Sequence, residues 1–431
     1  MRKWFFWGLC ALCPLPSFGH LGPKDVRSIE HPQNRGGERW VVIDNLGLFL
    51  FKDDSVQWVC DEGLTPLPGL NASAPMDALG STWLIGTRSG LRRSTDAGCS
   101  FLPPSAPLDT HVIAQISTHP DRPNEALVST QTLGSPNDLF LTEDAGATWS
   151  KAGLDIRGRV RRFLRAPSDP QRIYLVHAGG ALSSRDGGRT FAAFNLGPPE
   201  LMATGTDIDL LAVNPDQPEE LYAAYATFPD STLIRSSDGG ETWTSLITLP
   251  DVPDSLAVSS DGREIVFSTP VIGLYRSLDA GTSWEGLERQ LESGTISCLQ
   301  LVQGGQLLGC ARRSEEALLV SSDDLGTSWR PLLSPSLDGV TRRDTCPADS
   351  ETVEQCNYTC DDFPATCRQI DVDPPQDSES ASPSSDAGLP MDRKETAGSG
   401  CSAMASPSEV GLLWAMLLIA ALYRRRCGLL G

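Results

Sequence analysis

Short apolar stretches separated by polar turns recur along the middle of the chain. In one clear unit, an apolar stretch at Leu210–Val213 is followed by a turn and a second stretch at Leu221–Tyr225. A third stretch lies at Leu233–Arg235 and a fourth begins at Trp243. Stretches this short have the length of strands and are too short for helices. Each unit therefore predicts four short strands in antiparallel order.

An acidic turn motif precedes the fourth strand of each unit. It has the form [Ser/Thr]-x-Asp-x-Gly-x-[Thr/Ser]-[Trp/Phe], and its aspartates are Asp96, Asp144, Asp186, Asp238, Asp279 and Asp324. A degenerate seventh copy pairs Asp53 with Trp58, and neighbouring aspartates are 41 to 52 residues apart. A repeat of about 45 residues is typical of propeller blades. The pattern predicts an all-β, seven-bladed β-propeller over residues 36–340, with six or eight blades as alternatives.

These acidic segments resemble the Asp-boxes, or BNR repeats, of sialidases, sortilins and Ycf48-like proteins, and the resemblance covers residues 39–335. The chemistry of the turn favours a structural role. The Asp carboxylate is expected to accept hydrogen bonds from N–H groups of its own turn and from the Ser/Thr hydroxyl. The aromatic residue is expected to bury its ring between sheets, with sugar stacking as the alternative role. One carboxylate per turn supplies too few oxygens for Ca²⁺, so no metal or cofactor is predicted.

A second repeated turn joins the first two strands of several units, at residues 119–121, 166–169, 214–216 and 259–261. Because strand direction alternates along a meander, these turns and the Asp-boxes are expected on one face of the propeller. The loops between second and third strands, which vary in sequence, are expected on the other face. Examples are Gln131–Asn137, Thr227–Ser231 and Arg312–Glu316. Variable loops on a rigid scaffold usually carry binding residues, so we expect the ligand on this loop face.

Closure of the ring is expected to involve the end of the repeat region. The first unit shows no innermost strand of its own before Arg39, and residues after Trp329 are expected to supply it. Closure hides the sheet edges from solvent.

Five arginines concentrate just before and along the first strand of the fourth unit: Arg157, Arg159, Arg161, Arg162 and Arg165. Alternate strand positions point the same way, so Arg157, Arg159 and Arg161 are predicted to converge at the channel mouth. There they would bind a carboxylate, a phosphate or an acidic glycan. The alternative is that these arginines pair with Asp and Glu side chains of neighbouring blades.

The charge of the chain excludes one large class of partners. The 431 residues carry 35 Lys and Arg against 55 Asp and Glu, which gives a net charge of −20. Nucleic-acid binders depend on Lys and Arg to neutralise phosphates, so no nucleic-acid partner is expected. We expect a monomer.

The cysteines indicate an oxidising compartment. Of twelve cysteines, eight remain once the terminal segments are set aside, namely Cys60, Cys99, Cys298, Cys310, Cys346, Cys356, Cys360 and Cys367. An even number fits a disulfide framework. A hairpin around Gly304 is expected to bring Cys298 to Cys310. The last four are expected to form a small knot in a Cys-rich segment over residues 341–370, with three possible connectivities; zinc is the disfavoured alternative.

Both ends of the chain carry sorting features. Two basic residues, an apolar run and small residues near Gly19 predict a signal peptide over residues 1–20. Residues 371–400 have the composition of a disordered stalk. Beyond it, Cys401, an apolar stretch at 410–423 and three arginines follow in the order of the MYXO-CTERM sorting signal of myxobacterial surface proteins.

This terminal resemblance covers residues 401–431. It implies a C-terminal transmembrane helix, with Cys401 as the residue of processing and anchoring. An ordinary single-span tail anchor is the alternative. Either form predicts a secreted body attached to the membrane at the surface of a Gram-negative cell.

The function expected from the sequence is binding at the cell surface. No Arg-Ile-Pro segment of sialidases and no Gly-x-Ser-x-Gly, His-Glu-x-x-His or phosphate-loop motif occurs, so no catalytic residue is nominated. We expect a non-catalytic module for a glycan, peptide or protein partner. A glycoside hydrolase of the sialidase or endoglucanase propeller type and a structural envelope protein are the alternatives.

Overall fold

The computed structural model describes most of the region of repeats. The described residues are 26–30, 38–43, 47–52, 55–60, 75–204, 206, 208–287, 291–302, 304–343, 345–347, 349–350 and 352. The predicted signal peptide, stalk and sorting signal lie outside these residues, as do Asp53, Cys356, Cys360, Cys367 and Cys401. Among the residues described, no helix is long and apolar enough to cross a bilayer.

Seven sheets follow one another along the chain, and each is one blade. Blade 1 contains β1 (Val26–Glu30), β2 (Arg39–Ile43), β3 (Gly47–Lys52) and β4 (Ser55–Val59). Blade 2 has β5 (Met76–Leu79), β6 (Thr82–Thr87) and β7 (Gly90–Ser94). Blade 3 has β8 (Ile113–Thr118), β9 (Ala126–Thr130), β10 (Leu139–Thr142) and β11 (Ser150–Lys151). Blade 4 has β12 (Val160–Ala166), β13 (Asp169–His177), β14 (Gly180–Ser184) and β15 (Ala192–Phe194).

The remaining blades repeat this pattern. A short helix, α1 (Pro199–Thr204), precedes blade 5, which has β16 (Ile208–Val213), β17 (Leu221–Thr227), β18 (Asp230–Ser236) and β19 (Thr244–Leu249). Blade 6 has β20 (Ser255–Val258), β21 (Ile265–Ser268), β22 (Leu274–Ser277) and β23 (Glu285–Leu287). Blade 7 has β24 (Thr295–Leu301), β25 (Leu307–Arg312), β26 (Leu319–Ser322) and β27 (Arg330–Leu333), and β28 (Val340–Arg342) follows it. The prediction of a seven-bladed, all-β propeller is confirmed.

The first strand of each blade is the inner one. Strands β8, β12, β16, β20 and β24 lie side by side with the first strands of neighbouring blades. Later strands pair antiparallel in chain order toward the outside. The turns after first strands and the Asp-boxes after third strands therefore share one face, and the loops after second strands occupy the loop face.

Ring closure differs from the sequence expectation. The first blade has its own inner strand, because β1 pairs antiparallel with β2 and lies against β24 and β25 of blade 7. Residues after Trp329 do not supply that strand, so the expectation is wrong. They form β27 of blade 7 and then β28, which pairs in parallel with β4 at the outer edge of blade 1. The segment Val26–Glu30 has only two apolar residues, Val26 and Ile29, and they do not alternate with polar residues, so the sequence pattern does not predict this strand.

The core lies between neighbouring blades. Trp40 of blade 1 and Trp83 of blade 2 are fully buried, with ring centroids 4.4 Å apart at an interplanar angle of 60°. The guanidinium of Arg343, just after β28, lies over the Trp83 ring at 4.4 Å from the centroid. This edge-to-face pair and its cation–π contact join blades 1 and 2 to the segment after the last blade.

Each Asp-box is held by bonds within its own turn. In blade 3, Asp144 Oδ1 accepts bonds from Thr142 Oγ1 and from the N–H of Thr148, both at 2.8 Å, and Asp144 Oδ2 accepts one from Thr148 Oγ1 at 2.6 Å. These bonds from Thr148 and Thr142 lower the pKa of Asp144 to about 2. Gly98, in the turn of blade 2, has a φ of +88°, and a Cβ there would lie 2.3 Å from the Trp83 ring. The turn therefore requires glycine both for its backbone angle and for packing.

Of the disulfides within the described residues, one is local and one joins distant parts of the chain. Cys298 on β24 is bonded to Cys310 on β25, the pair expected from the hairpin. Cys99 is bonded to Cys346. Cys60 is also disulfide-bonded. The expected four-cysteine knot is therefore wrong for Cys346, because its partner is in the Asp-box of blade 2.

Candidate functional site

Side chains of the inner strands are largely used to join one blade to the next. A side-chain oxygen on one inner strand accepts a bond from a backbone N–H on the neighbouring inner strand at three positions. The pairs are Asp77 with Thr118 at 2.9 Å, Gln115 with Phe163 at 2.9 Å, and Ser255 with Leu299 at 2.7 Å. These bonds satisfy backbone groups that the twisted inner strands leave unpaired. The channel wall is therefore built largely from groups with structural partners.

Asp77 on β5 is one of two carboxyls among the inner-strand side chains that the structure describes. It is 6% exposed. Its oxygens accept bonds from the N–H groups of Ala78 at 2.8 Å and Thr118 at 2.9 Å. Burial raises the pKa of Asp77 to about 6, against the lowering effect of those bonds. Because its pKa is about 6, this carboxyl takes up a proton once the pH falls slightly below neutral.

Asp209 on β16 is the other carboxyl, and it is accessible. Its side chain is 62% exposed, and Oδ1 lies 3.8 Å from Nη1 of Arg161 on the neighbouring inner strand. The pair combines an anion and a cation at the channel wall between blades 4 and 5. Such a pair can both accept bonds from hydroxyl groups and donate bonds to them.

The five predicted arginines separate into two groups. Arg161 pairs with Asp209, and Arg162 donates to the backbone oxygen of Leu210 at 3.2 Å. Arg165 is buried and forms an ion pair with Glu125 of blade 3. Its Nε donates to the backbone oxygen of Pro170, at the start of β13. Arg161 and Arg165 thus follow the alternative, in which these arginines pair with Asp and Glu side chains of neighbouring blades. Arg162 also binds the neighbouring blade, but through a backbone oxygen.

Arg157 and Arg159 lie in the loop before β12 and are exposed. Strand β12 begins only at Val160, and a β-bulge separates Val160 from Arg162. Strand alternation therefore does not extend from Arg157 to Arg161. Within the described part of the chain, neither the Arg157 nor the Arg159 side chain has a hydrogen-bond or ion-pair partner.

Asn137 organises the loops that carry these two arginines. It is buried, and its Oδ1 accepts a bond from the N–H of Thr132 at 2.6 Å. Its Nδ2 donates to the backbone oxygen of Gly158 at 2.8 Å, between Arg157 and Arg159. One side chain thus holds the β9–β10 loop against the loop before β12. No local sequence pattern predicts this role, because the two loops are joined only in three dimensions.

Most of the large exposed apolar side chains lie on the loop face. Their exposed fractions are Leu133 96%, Phe228 100%, Val252 45%, Val271 80% and Ile272 44%. These residues lie in loops of blades 3, 5 and 6 and in the connection from blade 5 to blade 6. The alternation of apolar and polar residues gives no signal for them, because it reports burial within strands.

Asp251 holds three of those apolar residues in place. Its Oδ1 accepts a bond from the N–H of Val252 at 2.9 Å, and its Oδ2 accepts bonds from Val271 at 2.8 Å and Ile272 at 3.0 Å. Burial acts to raise the pKa of Asp251, but the bonds from Ile272 and Val271 prevail and lower it. The carboxylate therefore stays ionised and keeps the two loops together.

A pocket of about 290 Å³ opens on the opposite face, between blades 3 and 4. Its lining includes Asp121, Arg122, Glu125, Glu143 and Arg189. Two of the acids are already paired, Glu125 with Arg165 and Glu143 with Arg189. Within the described ranges, no group of three or more His, Cys, Asp or Glu side chains is placed to hold a metal ion.

The chain is similar in fold to solved structures and, over part of its length, similar in sequence to a curated protein. No model of a known protein family matches the chain. A curated protein of Neosartorya fischeri, described as a "probable oligoxyloglucan-reducing end-specific xyloglucanase", is 32% identical over 189 residues, which are 39% of this chain and 22% of that protein. The chain thus spans about a fifth of the length of that relative.

Two solved structures share the fold. An ancestral GH74 enzyme has a TM-score of 0.53 at 14% identity, over 72% of this chain and 46% of that one. YCF48 bound to D1 peptide has a TM-score of 0.50 at 15% identity, over 68% of this chain and 92% of that one. The chain is therefore a seven-bladed β-propeller similar in fold to GH74 enzymes and YCF48, with a partial sequence relationship to a xyloglucanase.

Proposed function

We propose that the protein acts on oligosaccharides of the xyloglucan class as a glycoside hydrolase. The observation that carries this proposal is the 32% identity over 189 residues with the xyloglucanase of Neosartorya fischeri. The similarity in fold to the GH74 enzyme is compatible with it. The proposal differs from the non-catalytic module expected from the sequence.

The inner-strand side chains that the structure describes include two carboxyls in different environments. Glycoside hydrolysis adds water across the glycosidic bond and commonly uses one carboxyl that holds a proton and one carboxylate. Asp77 has a pKa raised to about 6 by burial, and Asp209 is exposed and paired with Arg161. We assign Asp209 as the carboxylate that contacts the sugar, because it is the accessible one of the two.

A second candidate function is glycan binding without hydrolysis. The burial of Asp77 favours it, because both of its oxygens already accept backbone bonds. In this case the Arg161–Asp209 pair binds sugar hydroxyls, and no bond is broken.

The experiment incubates the purified chain with a xyloglucan oligosaccharide mixture and follows products by mass spectrometry and binding by calorimetry. Products that disappear in Asp209→Asn, but remain in Asp216→Asn on the opposite face of the same blade, support hydrolysis. Binding without products supports the second candidate. A result that shows no binding and no products would contradict both candidates and would favour a structural protein.

We also propose that the propeller works outside the cytoplasm. Disulfides such as Cys99–Cys346 support this, since structural disulfides persist mainly in oxidising compartments. Surface attachment through the signal peptide and sorting signal stays a prediction from the sequence. Mass spectrometry of the mature protein from its native cell envelope tests both, and an intact residue 1 or an unprocessed C-terminus would contradict the corresponding prediction.

A further inference from the structure

The exposed apolar residues of the loop face form a set that we call the apolar tips: Leu133, Phe228, Val252, Val271 and Ile272. On the opposite face, the large exposed apolar side chain is Leu278 in the Asp-box of blade 6, at 52%. Leu102 is the remaining one, beside β7. The apolar exposure of the described propeller is therefore concentrated on one face.

The apolar tips are held in place by side-chain bonds. Asp251 binds the N–H groups of Val252, Val271 and Ile272, and Asn137 binds the loop that carries Leu133. Ordering these loops before binding lowers the entropy cost of any complex they form. Exposed apolar groups that are pre-ordered on one face indicate an interaction surface.

The placement of this set argues against a small ligand as the partner. The tips stand on loops of separate blades and are nearly fully exposed at Leu133, Phe228 and Val271. A small ligand needs a concave site that covers most of its surface, and tips of this kind do not form one. A bilayer interface accepts several apolar side chains at once to a shallow depth.

Local charge also suits a lipid surface. Arg157 and Arg159 are exposed beside the Leu133 loop, held there by Asn137. Of the acids near this loop, Asp155 pairs with Lys151 and Asp209 with Arg161, while Asp109 is exposed in the adjoining loop. Because the screening length is about 8 Å at physiological salt, these local charges matter more than the net charge of the chain.

We propose that the loop face docks on a lipid bilayer surface, with the apolar tips entering the headgroup region and Arg157 and Arg159 binding anionic headgroups. This docking does not rest on the proposed hydrolase function. It also differs from the predicted terminal anchor, because it uses folded residues of the propeller.

The test uses the full chain and a local reporter, so that binding by the chain termini does not obscure the result. Phe228→Trp places a tryptophan on the loop face, and Leu278→Trp places one on the opposite face as the matched control. Vesicles of 70% phosphatidylcholine and 30% phosphatidylglycerol are prepared with brominated acyl chains, which quench tryptophan fluorescence. The fluorescence of the introduced tryptophan is obtained by subtracting that of the parent protein from that of each variant.

We expect quenching of the Phe228→Trp emission and none for Leu278→Trp. The double variant Phe228→Asp, Val271→Asp should partition into the vesicles at least about tenfold more weakly than Leu278→Asp. The reason is that it lacks two apolar side chains that the proposal buries in the bilayer. Replacing both Arg157 and Arg159 by Gln should weaken binding to the anionic vesicles by roughly fivefold per arginine and leave binding to pure phosphatidylcholine unchanged.

Equal quenching of the two tryptophans would overturn the proposal, because the loop face would not be the docking face. Absence of quenching in both would also overturn it, whatever peptide or glycan the tips bind instead. Circular dichroism spectra that match the parent protein establish that each variant is folded.

Discussion

Cys99, in the Asp-box of blade 2, is bonded to Cys346, which follows the last strand of the ring and is 247 residues away in sequence. Nearby, Thr352 Oγ1 donates to the backbone oxygen of Gly98 at 2.7 Å. The segment after β28 is thus fastened to blade 2 as well as to blade 1. The end of the repeat region is therefore joined to its beginning by these contacts. It is not joined by supplying the inner strand of blade 1.

Removing this bond should destabilise the propeller. The double variant Cys99→Ser, Cys346→Ser is expected to lose about 2–5 kcal/mol of unfolding free energy, because the disulfide closes a very long loop. Urea denaturation measures the change. The matched control is Cys298→Ser, Cys310→Ser, which opens a loop of only 12 residues and should cost less. An equal or larger cost for the control pair would contradict this account.

The Asp-boxes should make the protein sensitive to acid. Bonds within the turns lower the pKa of Asp144, Asp186, Asp238, Asp279 and Asp324 to about 2. Because the folded pKa lies below the ordinary value, the stability they contribute is present above about pH 4 and is lost as the pH falls toward 2.

A single substitution isolates this effect. Asp144→Asn is expected to lower the unfolding free energy at pH 7 by about 1 kcal/mol and to flatten its dependence on pH between 4 and 2. Asp109→Asn, at an exposed loop position, is the control and should change neither quantity. An unchanged acid profile for Asp144→Asn would show that its carboxylate does not brace the turn.

Asp77 should have the opposite pH dependence. Its folded pKa of about 6 lies above the ordinary value, so the folded state takes up a proton and stability falls as the pH rises from about 4 to 6. The difference in unfolding free energy between the parent and Asp77→Asn should therefore change by up to about 1.4 kcal/mol per pH unit in this window. Denaturation at several pH values gives this difference, and a flat profile would contradict the raised pKa.

Asn137 should control the order of two loops at once. Asn137→Ala removes its bonds to Thr132 and Gly158 and is expected to cost about 1–3 kcal/mol of stability. Amide hydrogen exchange should increase in both loops, at 131–137 and 156–159, and stay unchanged at 269–273 in blade 6. Ser135→Ala, exposed in the same loop, is the control. Faster exchange in only one loop would show that Asn137 does not link them.

The Asp-boxes show what could be predicted of the site and the fold from local pattern. Asp144 bonds only to residues within four positions of itself, so its role follows from the order of residues in one turn. The arginines before blade 4 show the limit of such reasoning. A β-bulge after Val160 and the start of β12 at that residue break the alternation on which their convergence depended.

The sequence by itself determined the repeat, the number of blades, the turns that separate the strands and the face on which the variable loops lie. All of these depend on residues close together in the chain. The tertiary structure alone decided that β1 is the inner strand of the first blade, that Cys346 pairs with Cys99, and that Asn137 and Asp251 order the exposed tips of the loop face. These contacts join segments far apart in sequence, and closure of the ring is what brings their partners together.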